Sequence, residues 1–414
     1  MSIENSLHSR AEALTSLITQ HASGAVANIS KSRSMRSTVQ ERDQIQVVIN
    51  ACQELTALLT EPYEWIANAA WGYVDSVALS LVLNLKVHRH VPRNGGTISL
   101  VELAAKTGSS VVLISRIMRQ CVGAFIFDEA LPQCYRHNER SLCLLHDDFS
   151  SLIDYITDDG LLTGAHLTRS LSKTAFQIPK HSGQAAFQDA FQTSKTLYEY
   201  YNAVDLRRGQ RFASAMAGHY NTPLDDPIES IYPFNVLRDN ALVVDIGGGK
   251  GHHSIRLAEK YEMMSFVVQD QTSVVETVQT EDLPQSVAGR IEWQAHDLHS
   301  PQPVQGADVY ILSHIMMDNQ PGICANILRH ASNAMRSYHS RILVHDFVDP
   351  DKGERASRFL NELDFHMLAS LNCLAKPLHV WTAIFYEANP RLQLTAVYRG
   401  SKNAAVFELS LVDA

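Results

Sequence analysis

One stretch of nine residues constrains the fold of this chain more than any other. It reads Val243-Val244-Asp245-Ile246-Gly247-Gly248-Gly249-Lys250-Gly251, and a helix-like segment, residues 252–261, follows it. Apolar residues that run into an acid and then into glycines are typical of a buried strand that ends in a tight turn. In an open α/β sheet, such a turn offers backbone N–H groups and a helix N-terminus to a nucleotide-like ligand. The residues predicted to bind that ligand are Asp245, Gly247, Gly249 and Gly251.

The spacing of the glycines separates the known kinds of nucleotide site. A dinucleotide fingerprint requires G-x-G-x-x-G, whereas the pattern here is D-x-G-G-G-x-G, with the acid before the turn. A phosphate-binding P-loop requires Ser or Thr after its lysine, and Lys250 is followed by Gly251. The motif therefore indicates a nucleoside ligand of another kind.

Two further acids follow apolar segments in the same manner. Asp270 lies 25 residues after Asp245 (270 − 245), close to the length of one strand–helix–strand unit, and Asp297 ends the next apolar segment. An acid at the end of the second strand can accept both hydroxyls of a ribose. We therefore expect these three acids, at the ends of three successive strands, to suit a ligand with a ribose, an adenine amine and an ammonium group.

The remainder of the C-terminal half alternates strand and helix signals. This pattern predicts a doubly wound, Rossmann-like α/β domain over residues 241–414. The strands are predicted at residues 242–246, 265–269, 290–294, 308–313, 341–346, 393–399 and 404–411.

Helical patterns dominate the first part of the chain. Apolar residues at three- and four-residue spacing predict helices over residues 1–60. Residues 61–150 contain Ser99-x-x-Glu102, a capping box, and a helix-turn-helix pattern. Its second helix has only Arg116 and Arg119 amid apolar residues, so we do not expect it to read DNA. Residues 151–240 are helical and rich in aromatic residues, which favour an apolar pocket or a core.

Charge and cysteine usage exclude several functional classes. The net charge of −9 and the isoelectric point of about 6.1 argue against a nucleic-acid partner, which requires a basic face. The six cysteines are scattered and no His/Cys group has zinc spacing, so we expect reduced thiols and no metal. Neither a signal peptide nor a membrane-length apolar window is expected, which predicts a cytoplasmic protein without a membrane partner.

The glycine motif and the acids resemble the S-adenosylmethionine (SAM) site of plant- and fungal-type small-molecule O-methyltransferases. The resemblance covers roughly Tyr63 to Val412. It implies that Asp245 contacts the methionine ammonium, Asp270 the ribose and Asp297 the adenine region. It also implies a homodimer formed by N-terminal helices (1–60) and a winged-helix module (61–150), then a helical pocket region (151–240) and the SAM domain (241–414).

The chain departs from the family pattern where the family carries its general base. The family segment L-R-H-x-L-H-D-W reads Leu312-Ser313-His314-Ile315-Met316-Met317-Asp318-Asn319 here, so Met317 stands at the position of the base. The family segment G-G-x-E-R-T, whose Glu orients that base, corresponds to residues 374–379, and Pro377 stands near the Glu position. A thioether does not accept a proton near neutral pH, and a general base typically contributes roughly 10²- to 10⁴-fold. The ordinary deprotonation step therefore has no agent at residue 317.

Other polar residues are candidates for the chemistry. His314 is a structural residue or a replacement base, Asp318 is structural or contacts substrate, and Met317 shapes the cavity. His137 lies in the wing, which in the family reaches toward the partner's pocket, and is either a surface residue or a hydrogen-bonding group that titrates near pH ~6.5. The residues predicted to line the substrate pocket are Tyr201, Met216, His366 and Met367.

Three functions follow from this combination of a retained SAM site and a missing base. Within the family, some fungal members of pyridone alkaloid pathways are pericyclases. They dehydrate an alcohol to a quinone methide and direct a hetero-Diels–Alder or related cyclisation of a polyketide-type substrate. This is the first hypothesis, with SAM bound but not consumed, or vestigial. The alternatives are a SAM-dependent O-methyltransferase of a small phenolic or polyketide metabolite, and a catalytically silent dimeric partner of a biosynthetic enzyme.

Overall fold

The structure of the chain is a computed structural model that describes residues 3–32, 39–179, 182–224, 226–278, 283–336, 338–350 and 356–412. The α-helices, in chain order, are α1 Ile3–Ser32, α2 Val39–Leu59, α3 Pro62–Trp71, α4 Tyr73–Asn84, α5 Val87–His90, α6 Leu100–Thr107, α7 Val111–Gly123, α8 Glu139–Cys143, α9 Asp147–Tyr155, α10 Leu161–Ser172, α11 Ala186–Phe191, α12 Leu197–Ala203, α13 Leu206–Tyr220, α14 Ile228–Ile231, α15 His252–Lys260, α16 Thr272–Val275, α17 Gln285–Ala288, α18 Pro321–Asn333, α19 Arg358–Leu371 and α20 Leu378–Ala388. The strands are β1 Ile98–Ser99, β2 Phe127–Leu131, β3 Cys134–His137, β4 Leu242–Ile246, β5 Ser265–Asp270, β6 Ile291–Ala295, β7 Val309–Ser313, β8 Arg341–Asp349, β9 Lys376–Pro377, β10 Leu392–Arg399 and β11 Ala404–Leu411. A π-helical turn forms at Ile156–Gly160 and 3₁₀ turns at Ser182–Gln184 and Phe234–Val236.

The chain divides into two units. The N-terminal unit comprises Met1–Ala165 and Tyr198–Pro223, and the C-terminal unit comprises His166–Leu197 and Leu224–Ala414. The four-part division proposed from the sequence is finer than this one and stays a prediction.

The first two helices pack against each other in the N-terminal unit. Leu14 on α1 and Ala51 on α2 are buried. Arg10, near the start of α1, forms a two-pronged ion pair with Glu54, near the end of α2, at 2.6 and 2.8 Å. Because these residues lie at opposite ends of their helices, α1 and α2 run antiparallel.

A winged-helix module follows, as predicted. The side chain of Ser99 accepts a hydrogen bond from the backbone of Glu102 and caps α6, and Ser110 caps α7 in the same way. The three-stranded sheet has the order β1-β3-β2, and its β2–β3 hairpin forms the wing. The buried faces of α6 and α7 share one apolar core with the wing residue Phe127.

Among the described residues, one stretch, Pro62–Asn84, is long and apolar enough to cross a membrane by length and composition alone. The expectation that no such window exists is therefore wrong. The stretch is divided at Gly72 into α3 and α4. Ala78 and Val82 of α4 pack into the core of the winged module, whereas no residue of α3 is buried. By itself this composition is weak evidence of a membrane partner, since core helices pass the same test.

The C-terminal unit is a doubly wound α/β fold, which confirms the predicted class. Its large sheet has the order β10-β11-β8-β7-β4-β5-β6, with β9 paired to the end of β8. Strands β4 to β8 are mutually parallel, and the β10–β11 hairpin closes one edge in antiparallel fashion. Each of the seven predicted strands is present within a few residues of its predicted bounds.

Alternation along the central strands explains why both faces of the sheet carry helices. Val244 and Leu312 belong to a core beneath α18 and α20, whereas Val243 and Ile311 belong to a second core beneath α14, α15 and α17. Successive side chains of a strand point to opposite faces, so apolar runs in β4 and β7 bury both faces. This arrangement brings the carboxyl ends of β4, β5, β7 and β8 to one edge of the sheet.

Candidate functional site

The glycine turn after β4 has a backbone that favours glycine. Gly247, Gly249 and Gly251 have positive φ angles of 70°, 57° and 81°. A Cβ atom on Gly251 would lie 2.9 Å from Cζ2 of Trp293, closer than nonbonded carbon atoms approach. The turn thus leads from β4 into α15 without side chains that would keep a ligand away from the backbone.

Asp245 is a buried acid, and only one of its two carboxylate oxygens accepts a hydrogen bond among the described residues. Its Oδ2 accepts a hydrogen bond from Oγ of Ser254 at 2.8 Å, whereas its Oδ1 has no hydrogen-bond partner among the described residues. Burial, with a smaller contribution from Asp270, raises the pKa of Asp245 to about 6. A buried carboxylate is stabilised by a cation in contact with it. The ammonium group of SAM supplies that cation, so this residue fits the cofactor.

Asp270 connects the glycine turn to the end of β5. Its Oδ2 accepts from the backbone N–H of Gly249 at 2.8 Å, and its Oδ1 accepts from the N–H of Gln271 at 2.7 Å. Burial raises the pKa of this carboxyl. A carboxylate that accepts one bond on each oxygen keeps lone pairs for further donors, as the two hydroxyls of a ribose would require.

Asp297 lies beyond β6 and is exposed. Its Oδ1 accepts from the backbone N–H of His299 at 3.0 Å, which closes a local turn. Its contact with adenine stays a prediction. Asp245 and Asp270 thus lie at the carboxyl ends of the adjacent parallel strands β4 and β5, and Asp297 follows β6, an order that fits an adenosyl cofactor.

The loop after β7, residues 314–319, carries the position of the family base. It begins at His314, which is buried and has the left-handed φ angle of 55°. Four side chains from outside the loop hold its backbone. These bonds are Met317 N–H to Asp346 Oδ2 at 2.9 Å, Lys376 Nζ to Met316 O at 2.9 Å, Cys373 Sγ to Asp318 O at 3.2 Å, and Cys324 Sγ to Asn319 O at 3.3 Å. The backbone of this loop is thus held by several hydrogen bonds, although a methionine occupies the position of the family base.

Met317 lines a small cavity in the C-terminal unit, with room for about one water molecule, and three charged residues also line it. Asp346 and Lys376 face this cavity, and the remaining lining residues are Phe347, Leu360, Leu363, Asp364, Met367, Leu374, Ala375 and Trp381. The ammonium of Lys376 lies 5.5 Å from the ring centroid of Trp381. Burial raises the pKa of Asp346, and the charges of His314 and Lys376 oppose that rise. The family base position is therefore apolar, but a fixed cation stands in the same cavity.

Sequence reasoning missed Lys376 and Asp346. A signal for the first exists, because Lys376 is the only Asp, Glu, Lys or Arg between Asp364 and Glu387. A lone charge in a long apolar stretch is often buried and paired. Asp346 has the weaker signal of an acid within the apolar run of β8. The contact of both with the loop at Met317 depends on tertiary structure.

The structure places His137 inside the winged module. It is buried, its Nδ1 contacts Oγ of Ser141 at 2.9 Å, and its Nε2 contacts the carbonyl of His88 at 3.0 Å. Burial lowers the pKa of His137. The expected position on the surface of the wing is therefore wrong, because both ring nitrogens bond within the module. A catalytic role of His137 stays a prediction, and these contacts do not favour it.

Two predicted pocket residues belong to the N-terminal unit. Tyr201 is buried and donates its hydroxyl to Asp159 at 2.9 Å. Asp159 in turn pairs with Arg208 and Arg211. Met216 lies half-buried on α13. The hydroxyl of Tyr201 thus serves an internal ion network, and the pocket roles of Tyr201 and Met216 stay predictions.

The other two predicted pocket residues lie on α19 in the C-terminal unit. Met367 lines the cavity with Met317, so the structure brings these two predicted residues together. His366 is half-buried, and burial lowers its pKa to about 4, so its imidazole is neutral at pH 7. Asp318 is half-buried in the loop at residues 314–319. The substrate roles of all three stay predictions.

Comparisons with known proteins agree with this architecture. Residues 172–388 match the O-methyltransferase domain, and residues 68–147 match the O-methyltransferase dimerisation domain. The chain is 38% identical to the O-methyltransferase xanE of Aspergillus fumigatus over 88% of this chain and 85% of xanE. It is 36% identical to the N-methyltransferase nanE of Aspergillus nanangensis over 88% of this chain and 91% of nanE.

Solved structures share the fold at low sequence identity. The structure of LepI in complex with SAM superposes with a TM-score of 0.82 at 24% identity, covering 97% of this chain and 98% of LepI. The structure of OxaC in complex with SAH and oxaline superposes with a TM-score of 0.77 at 19% identity, covering 96% of this chain and all of OxaC. At these identities the likeness concerns the fold.

Proposed function

This chain belongs to the O-methyltransferase family, and we propose that it transfers the methyl group of SAM to a small phenol or enol that binds already deprotonated. The observation that carries the proposal is the pairing of a complete cofactor site with Met317 at the base position. Asp245 keeps a buried oxygen for the cofactor ammonium, whereas Met317 cannot remove a proton from an acceptor. An acceptor that is acidic by itself needs no such help.

The cavity beside Met317 supports an anionic acceptor. Lys376 supplies a buried positive charge there, and its attraction to an oxyanion is stronger in a water-poor cavity than in solvent. Asp346 and Asp364 line the same cavity and compensate that charge in part, so the proposal requires the acceptor oxygen to approach the ammonium of Lys376 itself. SAM, when bound, supplies a methyl group on a sulfonium, and the acceptor oxygen displaces the sulfur from it. The acceptor arrives without its proton, so this step leaves no proton for Met317 to take.

The relatives support transfer of a methyl group but leave the acceptor atom open. XanE is named an O-methyltransferase and nanE an N-methyltransferase. A neutral nitrogen acceptor also needs no base, but it gains nothing from a neighbouring ammonium. The buried charge of Lys376 therefore favours oxygen in this chain.

The dimerisation domain at residues 68–147 supports a homodimer. The exposed apolar residues of α3, among them Tyr63, Ile66 and Trp71, would be covered by a second copy. This expectation concerns assembly and leaves the choice of reaction open.

A second candidate function is a pericyclase. It would dehydrate an alcohol to a quinone methide and direct a hetero-Diels–Alder or related closure, with SAM bound and not consumed. The loss of both parts of the base apparatus, at Met317 and Pro377, favours it specifically. An apolar cavity that holds a flexible substrate in one fold can supply up to ~7–11 kcal/mol without acid–base chemistry. A buried cation such as Lys376 can polarise a substrate carbonyl.

One experiment separates these functions. Purified protein is incubated with SAM and a series of phenols that differ in acidity, and the products are weighed by mass spectrometry. Gain of one CH₂ supports methyl transfer, and an isomer or loss of water from a suitable alcohol supports a pericyclase. No product, together with capture of a biosynthetic enzyme, supports the silent partner.

The pH profile then tests the missing base. If substrates must ionise by themselves, the apparent pKa of kcat/KM follows the pKa of each phenol through the series. With SAM kept saturating, so that ionisation of Asp245 does not enter the profile, a constant apparent pKa across the series would reveal a base on the enzyme and contradict the proposal. Asp245→Asn is the control for cofactor dependence, because it removes the predicted cofactor contact and should form no methylated product.

A further inference from the structure

Three buried polar side chains form a hydrogen-bonded chain between α15, the helix that follows the glycine turn, and the loop at residues 314–319. Nε2 of His253, near the start of α15, lies 3.0 Å from Oγ of Ser313, and the same Oγ lies 2.9 Å from Nδ1 of His345. All three residues are buried. Ser313 ends β7 and pairs in register with His345 on β8. These hydrogen bonds therefore cross the sheet at the carboxyl ends of its strands, between the glycine turn and the cavity.

The position of the proton on His253 follows from its contact with Arg256. Arg256 pairs with Glu229 at 2.8 Å and donates from Nη2 to Nδ1 of His253 at 3.1 Å. A guanidinium only donates, so Nδ1 of His253 is an acceptor and Nε2 carries the proton. His253 then donates to Ser313. The hydroxyl of Ser313 shares the second hydrogen bond of the chain with Nδ1 of His345.

His345 supports a residue with an unfavourable backbone. The backbone N–H of His314 donates to the carbonyl of His345 at 2.8 Å, and the two rings lie 4.5 Å apart. His314 has the left-handed φ angle of 55°, which is unfavourable for a residue other than glycine. Such a conformation persists only where its surroundings hold it. The next residues place Ile315 against the cofactor turn, where its Cδ1 lies 2.5 Å from the position of a Cβ on Gly247.

We propose that His253, Ser313 and His345 are positioning residues, which hold left-handed His314 and thereby set Ile315 against the cofactor turn and Met317 in the cavity. The chain acts through fixed hydrogen bonds between the helix that follows the cofactor turn and the loop that faces the cavity. It transfers no proton to substrate. Its effect on turnover rests on the proposed function, whereas its effect on the loop does not.

The test compares Ser313→Ala with two matched variants. Ser313→Thr keeps the hydroxyl, and Ser332→Ala removes another buried hydroxyl, which donates to the carbonyl of Arg329 near the end of α18. Hydrogen exchange of residues 314–319 is expected to be faster in Ser313→Ala alone. Nitrogen NMR of the histidine rings is expected to show His253 with its proton on Nε2 in the wild type, and changed signals of His253 and His345 in Ser313→Ala.

Turnover provides the second readout. We expect Ser313→Ala to bind SAM like the wild type and to lose about 10- to 100-fold in kcat, as misplacement of a reacting group does. Unchanged exchange of the loop, or His253 protonated on Nδ1, overturns the proposal. Wild-type protein that forms no product but shows the expected exchange and tautomers overturns the proposed function and leaves the positioning network standing.

Discussion

The backbone N–H of Met317 donates a hydrogen bond to Oδ2 of Asp346 at 2.9 Å. The other carboxyl oxygen accepts from the N–H of Phe347 at 2.8 Å, so a single buried side chain joins the loop after β7 to the end of β8. These hydrogen bonds are made to backbone N–H groups and do not depend on the side chain at residue 317. The loop therefore keeps a defined shape although the family's imidazole is absent at that residue.

Asp346→Ala is expected to destabilise the protein strongly. The variant leaves two backbone N–H groups without an acceptor and removes the charge that compensates buried Lys376. We expect a loss of about 2–4 kcal/mol in the free energy of unfolding, measured with urea. The exposed residue Asp147, paired with Arg89, offers the control, and its change to Asn should alter stability by less than ~1 kcal/mol. Equal effects of the two variants would contradict the role of Asp346.

Asp245→Asn is expected to lose SAM binding, because the amide cannot pair with the cofactor ammonium. In the wild type, SAM binding should weaken about tenfold for each pH unit below pH 6, since the pKa of Asp245 is about 6 and only the ionised carboxyl attracts the ammonium. Isothermal titration at several pH values checks this. Affinity that stays constant from pH 7 to pH 5 would show that the carboxyl is not the partner of the ammonium.

The same variant should stabilise the cofactor-free protein at neutral pH. The pKa of Asp245 is higher in the folded protein, at about 6, than its ordinary value of 3.8, so the folded state binds this proton more tightly. Stability is therefore highest below pH 4 with respect to this group and falls as the pH rises through 6, by about 3 kcal/mol in total. Urea unfolding of Asp245→Asn should lack this decline. A variant less stable than the wild type at pH 7.5 would refute the argument.

Lys376→Met tests the cation in the cavity. The apolar replacement has a similar length and keeps packing against Trp381, so the variant should fold. We expect kcat/KM for ionised phenols to fall by about tenfold or more, since a buried charge that stabilises an anion is worth over 1.4 kcal/mol. Lys260, whose Nζ lies 5.4 Å from the ring of Tyr261, provides a matched control on the surface. Equal turnover by Lys376→Met and Lys260→Met would exclude an anion-stabilising role.

Restoring a histidine at residue 317 tests whether the missing base limits the methylation of weakly acidic phenols. Met317→His alone is expected to add little, because Pro377 stands where the family has the carboxylate that orients the imidazole. The double variant Met317→His/Pro377→Glu should methylate weakly acidic phenols faster than the wild type, up to the roughly 10²-fold typical of a modest general base. Initial rates with labelled SAM measure this. A large gain from the single variant would show that the orienting residue is dispensable.

The elements that could be predicted from the sequence are those governed by local patterns. Strand β4 and its glycine turn were predictable because apolar burial, the acid and the backbone freedom of glycine are encoded in consecutive residues. Asp270 was found because a strand–helix–strand unit has a nearly constant length. The helix-turn-helix pattern followed from one capping box and a turn, whereas the wing was implied by the family resemblance.

The position of His137 shows where the sequence alone is insufficient. Its neighbours in the wing suggest an exposed residue, but Ser141 and His88 bond both of its nitrogens. His88 lies 49 residues away along the chain, and no local pattern reports that contact.

The amino-acid pattern was enough to specify the α/β sheet, the cofactor turn with its acids, and the absence of an imidazole at residue 317. Tertiary packing decided what surrounds Met317, because Lys376 approaches the loop from 60 residues beyond Met316. It also decided the chain from His253 through Ser313 to His345, which joins three separate elements. Periodicity and capping act between neighbours in the chain, whereas buried charges and hydrogen bonds are matched only once the strands have come together.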